Sequence, residues 1–146
     1  MTMGKKIVVA YDGTRQGRTG LFEFTKVLPE KDADIHLLAV IRLPTGAFLA
    51  EGYVPESVIE EERQRYQEIV QEGTGLLTER GYRVTGHLEF GDPTEEIVRL
   101  AKELPADLVV VGHRRKTSLA ARWWHSSVGA TLLEHSPCSI LIAVCD

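Results

Sequence analysis

Two short apolar runs, far apart in the chain, place the strongest constraint on its fold. Ile7-Val8-Val9-Ala10 and Leu108-Val109-Val110-Val111 are brief, uninterrupted and rich in β-branched residues, as parallel strands buried on both faces are. Loop-type residues follow each run, from Asp12 in one case and Gly112 in the other, and then a helical pattern. Strands alternating with helices imply right-handed βαβ units and a parallel sheet covered on both faces, an α/β architecture. If the two strands are neighbours where strand order reverses, both loops open on one crevice at the carboxyl edge of the sheet. That crevice is where open α/β sheets bind ligands. The second loop, however, reads Gly112-His113-Arg114-Arg115-Lys116, basic where a phosphate cradle is glycine-rich.

The 146 residues are expected to form one domain, 1–146, long enough to bury a core without staples. A formal net charge of -4 argues against general nucleic-acid binding, which calls for a basic surface. Cys138 and Cys145 read as two reduced thiols of a cytoplasmic protein. No apolar run approaches the roughly 20 residues of a membrane span. No apolar segment of a secretory signal precedes the first strand, so none is expected.

The elements follow from local pattern. A strand covers Lys6 to Tyr11, and Thr14 offers an N-cap for a helix carrying Leu21, Phe22, Phe24, Val27 and Leu28, stopped by Pro29. Gly17 and Gly20 weaken that helix intrinsically. A second strand, Ile35 to Ile41, leads into a long connection from Leu43 to Glu56. Ser57, with Glu60 three residues on, predicts a capping box for the longest helix. Its helical repeat is Ile59, Tyr66, Ile69, Val70, Gly73, Leu76 and Leu77, and Gly81 ends it. A third strand covers Arg83 to Phe90. Asp92-Pro93-Thr94-Glu95 is a sharp helix start, with Asp as N-cap, Pro at N1 and Glu at N3. Ile97, Leu100, Ala101 and Leu104 form that helix's buried stripe, closed by Pro105. A fourth strand, Leu108 to Val111, a helix from Ser127 to His135 and a fifth strand, Ser139 to Val144, complete the chain.

Four segments in this order resemble the universal stress protein family: Ile7 to Thr14, Gly91-Asp92-Pro93, Ala106 to Gly112, and Glu134 to Ile142. The resemblance covers essentially the whole chain. It implies a half-Rossmann-like sandwich, a five-stranded parallel sheet of order 3-2-1-4-5 with four helices on two faces, and a homodimer, often one assembled through strand 5. Nucleotide-binding members carry Gly, two residues, Gly, nine residues, then Gly-Ser or Gly-Thr. Gly112 matches the first glycine, but Arg115 stands at the second and, with the intervening loop one residue longer than the pattern, Ser126 at the third, followed by Ser127. The chain therefore resembles the glycine-poor, UspA-type branch, whose members are not expected to bind ATP.

Each candidate residue has a functional and a structural meaning. By the resemblance, Asp12 would bond ribose or adenine, and Val40 would present backbone groups to adenine. Asp-Gly is also a favoured turn whatever the ligand, and Val40 is equally an ordinary strand residue. Ser127 caps the last helix with or without a phosphate. Residues 113–125 carry Arg114, Arg115, Lys116, Arg122, Trp123 and Trp124 with no acidic residue, suiting an anion, a stacked base or a protein partner, or simply a solvated basic loop with its tryptophans folded onto the core. An apolar strand 5 (Ser139, Ile140, Leu141, Ile142, Ala143, Val144) at a sheet edge is a liability that dimerisation removes. No Gly-x-Ser-x-Gly elbow or His-Glu-x-x-His zinc helix occurs, and the five histidines show no metal-ligand spacing. The expectation is a non-catalytic homodimer without cofactor, acting in stress through protein contacts, with neither nucleic acid nor membrane as partner. The alternative is an ATP- or AMP-sensing module using Asp12, Val40, Gly112, Ser127 and Val128, with Arg114 and Arg115 supplying phosphate charge.

Overall fold

The computed structural model describes residues 4–28, 31–42, 55–114 and 127–145. In chain order these form β1 (Lys6–Ala10), α1 (Arg15–Val27), β2 (Asp34–Ile41), α2 (Glu56–Glu79), β3 (Arg83–Phe90), α3 (Pro93–Glu103), β4 (Leu108–Arg114), α4 (Ser127–His135) and β5 (Ser139–Cys145). Pro29 and the connection at 43–54 lie outside the described residues.

All four strand pairings are parallel, and the order is β3-β2-β1-β4-β5. Successive strand residues face opposite sides of a sheet, and the two cores divide accordingly. On one side Ile7, Val9, Tyr11, Ile35, Leu37 and Val110 pack with Leu21 and Phe24 of α1 and Leu77 of α2. On the other, Val8, Leu38, Val109 and Val111 pack with Ile97, Val98 and Ala101 of α3 and Leu132 of α4. The continuous apolar runs of β1 and β4 are thus the signature of strands covered twice.

Several element boundaries differ from the sequence reading; β2 begins one residue earlier, at Asp34, and β5 ends one later, at Cys145. β1 ends at Ala10, although the Tyr11 amide still donates to the Leu38 carbonyl at 2.9 Å. Ser57 does not cap α2; the helix begins two residues earlier than that cap implies, with Pro55 at the N-cap (φ -57°, ψ 134°) and no side-chain cap. Proline presets the backbone turn there, and Ser57 falls inside the first turn. β4 continues beyond Val111 through Gly112 and His113 to Arg114, because β5 pairs with it residue for residue as far as Arg114↔Cys145. Long-range pairing overrides the local loop signal of a glycine followed by charges. The start of α3 stands as read: the Asp92 carboxylate accepts from the Glu95 amide at 3.0 Å, with Pro93 in the first turn.

Candidate functional site

The strand order reverses between β1 and β4, which defines a crevice at their carboxyl ends. β1 pairs with β4 only as far as Val9↔Val110 and ends at Ala10, so residues 112–114 of β4 stand beyond β1, paired to β5 alone. Gly112 and the backbone of Arg114 therefore belong to a strand and not to the opening of a loop. Arg115, the rest of the basic stretch to 125 and Ser126 lie outside the described residues.

Asp12 follows β1 and is exposed. Its Oδ1 accepts from the Thr14 amide at 2.9 Å and from the Thr14 hydroxyl. Thr14 Oγ1 in turn accepts from the Gly17 amide at 3.2 Å, capping α1. Asp12 is thus built into the turn that starts α1, with Gly13 at φ +80° supplying the left-handed residue the turn requires. A side chain at Gly13 would also meet Ile69 of α2 at 3.2 Å. Thr14→Ala removes the cap and one Asp12 bond together; we expect a loss of about 1 kcal/mol in urea unfolding, with Asp12 and Gly17 showing the largest amide shifts.

Behind Asp12, Tyr11 ties α1 to α2. Its hydroxyl donates to Glu72 Oε1 at 2.7 Å, and Arg18 pairs with the same carboxylate at 2.8 Å. Burial, then the Glu72 carboxylate, pushes the Tyr11 phenol up, while the bonds from Tyr11 and Arg18 hold Glu72 down.

Gly17 and Gly20, which the sequence marks only as weak helix formers, are both buried. A Cβ on Gly17 would lie 3.0 Å from Asp12 Oδ1, and one on Gly20 would lie 3.5 Å from the Gly112 amide nitrogen. One glycine-lined face of α1 therefore runs from Asp12 to Gly112 and brings these two distant residues to one site. The i, i+3 glycine spacing was the signal for it.

Val40 lies two residues past Leu38, the last β2 residue in register with β1. Because Leu38 turns its carbonyl to Tyr11, strand alternation turns the Val40 backbone to the same side, beyond the end of β1. Ser127 opens α4 and Val128 follows it. A helix start is electropositive and carries free amides.

A covered parallel sheet with a crevice at its switch point defines an open α/β class of protein. Within it, the universal stress protein family model matches residues 3–143. The chain belongs to the universal stress protein family. It is 30% identical over 150 residues to the universal stress protein YxiE of Bacillus subtilis, covering 96% of this chain and 99% of that one. Its fold is that of a universal stress protein solved in complex with cAMP (TM-score 0.67, 20% identity, 97% of each chain covered). It is also that of a family member from Arabidopsis thaliana solved with AMP bound (TM-score 0.67, 17% identity, 97% of this chain and 92% of that one). Among the described residues, no helix is long and apolar enough to cross a membrane.

Proposed function

We propose that this chain is a non-catalytic, homodimeric universal stress protein that acts in the stress response through protein contacts, its nucleotide loop degenerate. The observation that carries the reading is β4 running as a paired strand past Gly112 to Arg114. Where nucleotide-binding relatives would begin a glycine loop, this chain keeps strand geometry and then places Arg115. Asp12 supports the same reading, since its carboxylate already serves the turn before α1.

The dimer is assigned to β5, an edge strand that pairs with β4. Its Ile140, Leu141 and Ile142 are half-buried and Val144 is 42% exposed, an apolar edge suited to pairing with a second copy. Partner contacts are assigned to the basic stretch 113–125 by its composition. The free thiol of Cys138 fits a reducing cytoplasm. The second reading, an ATP or AMP sensor, is favoured by the Val40 backbone facing the crevice and by the fold shared with AMP- and cAMP-bound proteins.

Titration calorimetry of nucleotide-stripped protein with ATP, ADP, AMP and cAMP, with and without Mg²⁺, separates the two readings. The expected result is no binding tighter than about 1 mM, with light scattering giving the mass of a dimer. Micromolar binding would overturn the protein-contact reading in favour of sensing, and Arg115→Ala would then be expected to weaken it.

A further inference from the structure

His36 and His87 are 51 residues apart in sequence and carry no ligand spacing, yet the sheet brings them together. The register His36↔Thr85 and Leu38↔His87 sets them diagonally on neighbouring strands, and strand alternation puts both on the α3 side. His36 Nδ1 and His87 Nε2 lie 2.9 Å apart, with ring centroids 5.1 Å apart. We infer that His36 and His87 form a two-imidazole chelating site for a divalent transition-metal ion with cis-square coordination, Cu²⁺ or Ni²⁺.

The spacing fits such an ion. Metal–imidazole bonds of about 2.0–2.1 Å put two cis donors at right angles about 2.9 Å apart. The protonation state fits too. Burial is the main cause that lowers both imidazoles below the usual histidine range, with the neighbouring His87 adding to the effect on His36. That shift favours the uncharged ring, the form that ligates metal. In the free protein one proton is shared between the two facing nitrogens. On binding, that proton moves to the other nitrogen of its own ring, and each facing lone pair forms a bond to the ion. No net proton is released from the neutral pair.

The surrounding charges neither draw nor repel a cation strongly. Glu89, on the strand of His87, and Glu103, on α3, favour positive charge at His87; Asp34 favours it at His36 and Lys6 of β1 opposes it. Arg83 holds Asp34 at 2.9 Å, and Arg99 of α3 holds Glu89 at 3.5 Å and Glu103 at 3.1 Å. Affinity must come from the imidazoles themselves, which selects late transition metals over Mg²⁺ or Ca²⁺. No group of three or more metal-capable side chains converges among the described residues, so water would complete the coordination sphere.

The test uses the full untagged chain and Ni²⁺ or Cu²⁺ ions alone at pH 7.5. Substoichiometric Ni²⁺ should broaden the His36 and His87 ring signals before those of the other histidines. In calorimetry, His36→Gln and His87→Gln should each weaken binding about tenfold or more, because either substitution breaks the chelate, and the double variant should bind no more tightly than either single one. Affinity should fall as pH drops and protons compete for the rings. Broadening that begins at another histidine, or an affinity unchanged in both single variants, would overturn the site. The wild-type broadening experiment decides the matter even where a variant folds poorly.

Discussion

Gly73→Val is expected to destabilise the protein by about 3 kcal/mol, at the upper end for forcing extra atoms into a packed core. Gly73 is buried in the C-terminal half of α2, where the helix lies against the sheet. A Cβ there would sit 2.6 Å from Leu37 Cδ1 and 2.8 Å from Tyr11 Cδ2. Leu37 is wholly buried, and the Tyr11 ring is both buried and tethered to Glu72. Neither can step aside, so α2 must lift away. The intrinsic helical gain over glycine, under about 1 kcal/mol, is too small to offset this. Gly75, two residues on, is the control: a Cβ there meets nothing within 4 Å, so Gly75→Ala should stabilise by up to about 1 kcal/mol. Denaturant midpoints of both variants measure the contrast. Since Tyr11 precedes Asp12, the amide signals of residues 12–14 should also move in Gly73→Val. A midpoint equal to that of wild type would mean that α2 does not approach the sheet this closely.

Gly73 also shows which parts of the structure a sequence carries openly. Wherever a signal is local, it is legible: β3 runs from Arg83 to Phe90 as read, and Asp92-Pro93-Thr94-Glu95 starts α3 through its own side chain and ring. Parallel strands and two covered faces follow from apolar runs such as Val109-Val110-Val111. The strand order came with the family resemblance, since periodicity holds no record of which strand lies beside which. The end of β4 escaped because it depends on β5, 31 residues away in the register Gly112↔Ala143. The α2 start escaped because a serine that suits a cap competed with a proline that fixes the backbone. At the site, Asp12-Gly13-Thr14 announced its turn, but the approach of Gly17 to Asp12 and of Gly20 to Gly112 is a property of helix docking. The His36–His87 pair exists through register alone. Had β3 slipped by one residue, His87 would face the other side of the sheet.

The opposite wall of the crevice yields the second large effect, Leu132→Ala, expected to cost about 3 kcal/mol, within the range for truncating a buried leucine. α4 has nine residues, too few for a helix to persist without packing. Of its last five residues, Leu132 is the one fully buried, at 1% exposure, among Val8, Leu38, Ile97, Val98, Ala101, Val109 and Val111. Its neighbour Leu133 is 54% exposed. Truncating Leu132 leaves a cavity between α4 and the sheet and weakens the anchor that positions Ser127 at the helix start. The loss should therefore have a local as well as a global part. Hydrogen exchange of the α4 amides should speed up more than that of β1 or β4, because the helix can open while the sheet stays formed. Leu133→Ala, by contrast, should stay within about 0.5 kcal/mol of wild type, and Leu132→Met should cost less than about 1.5 kcal/mol because it keeps the volume. If Leu132→Ala and Leu133→Ala cost the same and α4 exchange is unaltered, the helix is anchored through its first turn instead. The start of α4 would then be rigid in its own right, and the case for a preformed anion site at Ser127 would gain what the protein-contact reading loses.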